Sequence, residues 1–203
     1  MARLIYSTIT SLDGYIEDAR GEFDWYRPDE EVFSFITNLE GSVGTYLYGR
    51  RLYETMLYWE TAPVDGSPPE GSHTEPGSST SFRDFTQMWR AAEKVVYSRT
   101  LKSTSSAKTR IERSFDPKAV RRLKSTTSHD LTVGGAELAG QAIRSGLVDE
   151  LQQFVVPVIV GGGKPWLPKN LRLDLELLES RRFASGVVYL RYRPKLSRSD
   201  SPR

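Results

Sequence analysis

Cysteine is missing from this sequence altogether, and histidine occurs only at His73 and His129. Without thiols there are no disulfides, no thiolate metal site and no cysteine nucleophile, a profile that suits a reducing cytoplasm. Both histidines lie among Ser, Thr and Gly in expected loops, which argues against a histidine-built metal centre or catalytic triad. Long apolar runs are lacking too. No segment reads as a membrane span, and Met1 leads into strand-like Leu4-Ile5-Tyr6 without a signal-peptide pattern. Nor does charge of one sign dominate: a formal net charge of +2, with the charged residues interspersed, offers nucleic acid no basic stripe.

What is present is an ordinary globular balance. Hydrophobic residues make up 38% of the 203 positions, enough for one sizeable core and short for two, so residues 1–194 read as a single domain. β-Branched and aromatic types fill residues 3–10 and stop at Ser11-Leu12-Asp13-Gly14, a strand followed by a loop that continues past Gly21. Pro28-Asp29-Glu30-Glu31 opens a helix, with the proline set for its first turn and Val32, Phe33, Ile36 and Leu39 at helical spacing. Thr45-Tyr46-Leu47-Tyr48 is a short buried strand running into a helix at Gly49-Arg50-Arg51. Residues 60–81 hold Pro63, Pro68, Pro69 and Pro76 among Gly, Ser and Glu, the composition of a flexible insertion.

Beyond it, Phe82, Phe85, Met88 and Trp89 restore helical spacing, and Lys94 to Ser98 is strand-like. A short basic helix follows over residues 117–124, then a strand ending at Val133 and a helix over residues 136–145. Glu150 to Val160 reads as one long strand with Pro157 at an edge or a bulge. Leu171 to Phe183 and Gly186 to Arg193 both alternate and make a hairpin, after which residues 195–203 form a frayed polar tail. This order predicts an α/β three-layer sandwich, with a mixed, mainly parallel central sheet, helices on both faces and a C-terminal antiparallel hairpin. In such sheets the ligand lies beyond the carboxyl ends of the strands.

Three of those strand ends carry anion-binding chemistry. Val133-Gly134-Gly135-Ala136-Glu137-Leu138 takes a strand through paired glycines into a helix, where unpaired N–H groups and the helix dipole suit a diphosphate. By itself such a turn more often serves tight packing. Arg50, Arg51, Ser98 and Arg99 stand at two other strand ends and offer paired guanidinium donors and a hydroxyl to a ribose 2′-phosphate. Cations in the first turn of a helix oppose its dipole, so the two arginines after Gly49 are better explained by an anion than by helix stability. Tyr46, Tyr48 and Tyr53 are assigned to the core.

In order and spacing these motifs resemble the dihydrofolate reductase-like proteins, most closely the bacterial branch related to the riboflavin-pathway reductase domain. The likeness covers most of the chain and rests on Ser11-Leu12-Asp13-Gly14-Tyr15-Ile16, Tyr48-Gly49-Arg50-Arg51-Leu52-Tyr53-Glu54, Val96-Tyr97-Ser98-Arg99 and the glycine-pair motif. Leu147-Val148-Asp149-Glu150, Pro157 and Gly161-Gly162-Gly163-Lys164-Pro165 add to it. It implies an NADPH-dependent reductase acting on a pterin- or pyrimidine-type heterocycle, cytoplasmic and homodimeric. Arg50 and Ser98 would meet the 2′-phosphate end of NADPH, with Arg51 and Arg99 beside them. The glycine pair would meet the diphosphate, and Ile9, Tyr15 and Ile16 the nicotinamide.

The resemblance also suggests a substrate site. Trp25, Pro28 and Glu30 follow the tryptophan, proline and carboxylate spacing of folate reductases, which implies Glu30, or Asp29 one position earlier, as proton donor, with Trp25 and Pro157 beside the substrate. Acids there are also ordinary first-turn stabilisers. Asp13 is a third candidate acid, in an Asp-Gly pair that is equally normal turn chemistry. One departure stands out: the riboflavin-pathway reductase has an acidic residue before its glycine pair, where this chain has Val133, which argues against its phosphoribosyl substrate. A competing reading is a nucleotide-binding protein that keeps the phosphate loops and has lost turnover.

Overall fold

Alternation of apolar residues builds a sheet with two buried faces. In strand β1 (Leu4–Thr10), Leu4 and Tyr6 join one core while Ile9 packs with the other; in β3 (Val43–Gly49), Leu47 faces the first and Tyr46 and Tyr48 the second. Val95 and Val96 divide in the same way in β4 (Glu93–Tyr97). The computed structural model describes residues 1–63 and 79–195. Among them, the remaining strands are β2 (Tyr15–Glu17), β5 (Thr109–Glu112), β6 (Asp130–Gly134), β7 (Glu150–Val155), β8 (Lys164–Pro165), β9 (Leu175–Arg182) and β10 (Val188–Pro194).

The main sheet runs β5-β4-β3-β6-β1-β7-β10-β9. Its first six strands are parallel, and β10 and β9 close the far edge as an antiparallel pair. Strands β2 and β8 form a separate two-stranded ribbon. On one face lie α5 (Pro117–Thr126) and α6 (Ala136–Arg144), which bury Val120, Leu138, Ala139 and Ile143 against Leu47, Val95 and Leu131. On the other face α1 (Glu30–Glu40), α2 (Arg50–Met56) and α4 (Ser79–Ala91) cover Tyr46, Tyr48 and Val96, with the short α3 (Tyr58–Thr61) beside them. Phe35 of α1 sets its ring edge-on to Phe183 and Tyr189 at 5.3 and 4.9 Å, contacts worth about 0.5–1.5 kcal/mol each beyond the area they bury. This is the α/β three-layer architecture expected.

The amino ends of the strands are tied together by charge. Arg3 reaches Asp130 at 2.5 Å and Glu150 at 2.8 Å, joining the starts of β1, β6 and β7, while Ser42 donates to Asp130 before β3. Lys124 of α5, buried, donates to Asp149 at 2.5 Å and to the Leu147 carbonyl. At the carboxyl ends of the strands the chain opens into a cleft.

Several boundaries differ from the expected ones. Pro28 precedes the helix: Asp29 is the N-cap of α1 and accepts from the Val32 N–H, so the first turn begins at Glu30. At the ends of the expected insertion, residues 60 and 61 close α3 and residues 79–81 open α4, with the Ala62 carbonyl accepting from Arg90 and Ser81 buried; 64–78 lies outside the described residues. Strand β7 stops at Val155, two residues short of Pro157, and sits between β1 and β10 rather than at an edge. Pro194 ends β10 in register with Leu175, and residues 196–203 lie outside the described residues. Strand β5 was not foreseen, nor was the β2–β8 ribbon. Among the described residues no helix is long and apolar enough to cross a membrane.

Candidate active site

A cleft of about 1440 Å³ opens along the carboxyl ends of β1, β3, β4, β5 and β6. Its lining contains Ile9 and Ile16, then Gly49, Arg50 and Arg51 after β3, Ser98 and Arg99 after β4, and Gly134, Gly135, Glu137 and Leu138 after β6. Phe23, Trp25 and Tyr26 line it from the segment between β2 and α1. Three separate turns thus converge as the sequence expectation required.

Each turn has a local physical cause. Gly135, the N-cap residue of α6, holds φ at 91°, which an L side chain resists, and a Cβ there would point into open space. No side chain caps α6, so the N–H groups of its first turn are left for an anion. Gly134 is glycine for another reason: a Cβ would stand 2.3 Å from Leu52 Cδ2. Its job is packing.

Ser98, 8% exposed, accepts at Oγ from the N–H groups of Thr100 and Leu101, which leaves its own hydroxyl proton to donate. Arg50 donates to Thr100 Oγ1 at 3.4 Å and lies 3.7 Å from Glu54. Arg113, after β5, lines the same end and donates to the carbonyls of Ser98 and Leu101 at 3.0 and 2.6 Å. Tyr53, fully buried, accepts from the Ser105 N–H and bonds Ser106 Oγ, tying α2 to the loop after β4. Together Arg50, Arg51, Arg99 and Arg113 make one end of the cleft strongly cationic, with guanidinium forks matched to phosphate. The donor set fits a dinucleotide carrying a ribose phosphate.

Other expected residues stand elsewhere. Tyr15, Val133 and Ala136 are absent from the lining: Val133 is core, Ala136 is buried and Tyr15 pairs with Pro165. None of the three expected acids reaches the cleft. Asp29 is committed to its cap, and Glu30 accepts from Ser81 Oγ at 3.0 Å. Asp13 accepts from the N–H groups of Val160 and Gly161, with Ser11 as a further donor that holds its carboxyl below the usual carboxylate range. Pro157 is exposed and packs beside Gly186, away from the lining. Among the acids that do line the cleft is Glu17 of β2, whose carboxyl has no partner among the described residues. Arg113, Glu17 and Lys164 were missed by sequence reasoning; for Arg113 the usable signal was the Thr-Arg-Ile-Glu alternation of β5 just before it.

A sheet of this order with one cleft along its carboxyl ends is a dihydrofolate reductase-like α/β domain. The RibD C-terminal domain model matches residues 2–189, and the chain belongs to that family. It is 30% identical to the uncharacterized protein YyaP of Bacillus subtilis (strain 168) over 192 residues, 94% of each chain. Its fold is similar to a putative riboflavin biosynthesis protein from Shewanella sp. PV-4, with a TM-score of 0.69 at 20% identity over 97% of this chain and 100% of that one. A pyrimidine reductase-like protein of Corynebacterium diphtheriae is similar at a TM-score of 0.64 and 14% identity, over 96% and 92%.

Proposed function

We propose that the protein is an NADPH-dependent reductase of a flat pyrimidine- or pterin-type heterocycle. The observation that carries this reading is the convergence of Arg50, Ser98 and Gly135 on a single cleft. Arg50 and Ser98, with Arg113 bracing the Ser98 loop, take the 2′-phosphate; the first-turn N–H groups of α6 take the diphosphate. Bound NADPH supplies the hydride, which passes to the carbon of a C=N or C=O bond. Phe23, Trp25 and Tyr26 give the ring an aromatic wall. We assign proton delivery to the heteroatom to Glu17, in place of Asp13, Asp29 and Glu30.

Calorimetric titration with NADPH and NADH tests the cofactor assignment. Arg50→Ala is expected to weaken NADPH about tenfold or more, the value of a charge-assisted hydrogen bond, and to change NADH less than twofold. Equal losses for both would count against the 2′-phosphate role. A turnover screen over pterins and ribosylated pyrimidines, followed by loss of nicotinamide absorbance, tests the reaction. Glu17→Gln is expected to lower kcat roughly a hundredfold, a typical contribution of a positioned acid, with the NADPH Kd unchanged. The absence of Asp13, Asp29 and Glu30 from the cleft favours one second reading, a nucleotide-binding protein without turnover. Tight NADPH binding with no substrate across the screen would select it.

A further inference from the structure

We propose that Lys164 and Glu137 form an electrostatic latch across the cleft, which a dinucleotide diphosphate opens by taking the lysine; this rests on the cofactor reading above. The two residues come from separate elements. Lys164 lies on β8 of the small ribbon and Glu137 is the second residue of α6, and their charged groups meet at 3.3 Å. Both line the cleft.

The pair is unequal. Lys164 is only 25% exposed at its side chain, whereas Glu137 is 86% exposed, so the ammonium is held in place and the carboxylate is free to leave. Lys164 is aimed by its strand: Asp13 pins the preceding turn through the Val160 and Gly161 N–H groups, and Lys164 is in register with Glu17 across the ribbon. Glu137 stands in the first turn of α6, at the uncapped N–H groups assigned to the diphosphate. There its carboxylate is a resident competitor, favoured by the same helix dipole that favours the ligand. An ion pair with so exposed an acid is weak and screened. A diphosphate brings more charge and more acceptor oxygens to the same ammonium, so it displaces Glu137 and draws the ribbon and α6 onto one ligand.

Opposite effects of the two partners follow. Removing the lysine removes a phosphate contact, and removing the acid removes a competitor. The test is calorimetry of NADPH, and of 2′-AMP as a probe that lacks the diphosphate, on the wild type, Lys164→Met, Lys164→Arg and Glu137→Gln. Lys164→Met is expected to weaken NADPH about tenfold, equivalent to about 1.4 kcal/mol, and to leave 2′-AMP within twofold. Lys164→Arg should restore most of the loss. Glu137→Gln, which leaves the helix and ribbon intact, should tighten NADPH about threefold. A Lys164→Met protein that binds NADPH within twofold of wild type, or loses both ligands equally, overturns the latch while the cofactor reading stands. Unchanged NADPH affinity in Glu137→Gln overturns it too. Wild-type protein that binds neither ligand overturns the cofactor reading and the latch together.

Discussion

Gly163→Ala is expected to destabilise the protein by roughly 2–5 kcal/mol and to weaken NADPH binding with it, the sum of a backbone clash and a strained φ. A Cβ at this position would stand 2.0 Å from the Glu17 carbonyl oxygen and 2.6 Å from the Asp18 carbonyl carbon, and φ is 135°. Neither neighbour is a side chain that can swing away. Strands β2 and β8 would have to part, and with them the anchorage of Ile16, Glu17 and Lys164 in the cleft wall. The Trp166 N–H, which donates to the Gly14 carbonyl next to the ribbon, reports the same motion, because Trp166 stacks on Tyr6 at 6.1 Å. Gly161→Ala is the control: its φ of 76° is also left-handed, but a Cβ there meets nothing within 4 Å, so about 1–2 kcal/mol is expected. Thermal unfolding of the two variants separates clash from strain. At roughly 2–4 °C per kcal/mol for a chain of this size, Gly163→Ala should melt several degrees below Gly161→Ala. Equal melting temperatures would refute the clash.

That ribbon also marks where sequence reasoning ran out. Periodicity sufficed for β1, β3, β4, β6 and the β9–β10 hairpin, because each carries its apolar residues at strand spacing and is long enough to show it. It failed for β2 and β8, three and two residues long, whose pairing depends on Gly163 allowing backbone to approach backbone. It failed for β5, an edge strand whose alternation runs through Arg110 and Glu112. The cationic end of the cleft was legible at Arg50, Ser98 and Gly135, since strand-end turns in a parallel sheet share one side by topology. The acids were not. Asp13, Asp29 and Glu30 occupy turns and a first helical turn, where a carboxylate has local N–H or hydroxyl partners within a few residues or on a packed neighbour. Sequence spacing gives the position of such a group but not the direction it faces, and here all three face their partners.

Glu40→Gln is expected to stabilise the protein by about 3 kcal/mol at pH 8 relative to its effect at pH 4. Glu40 ends α1 with its Oε2 sealed from solvent and without a hydrogen-bond partner among the described residues. Tyr46 and Tyr48, stacked at 5.3 Å, are its neighbours, and both phenols are held neutral by burial well above the ordinary tyrosine range. Burial pushes the Glu40 carboxyl up to about 7 from an ordinary 4.5. The folded protein therefore binds this proton more tightly than the unfolded chain does. Below pH 4.5 the acid is neutral in both states and costs nothing; as pH rises from 4.5 to 7 the unfolded chain releases the proton first, and stability falls. Above 7 the full cost is present, because a carboxylate must then keep one oxygen sealed from solvent without a hydrogen-bond partner among the described residues. Other carboxylates act in the opposite sense, Asp130 being held low by Arg3 and Ser42 against the effect of its burial, so the wild-type profile mixes both trends. The difference between variant and wild type isolates Glu40. Urea unfolding of both proteins at pH 4 and pH 8 measures it, and a difference that does not change with pH would show that this carboxyl titrates normally. A variant that gains stability only at the higher pH would place a proton, held between α1 and the sheet, among the groups that keep the second core closed.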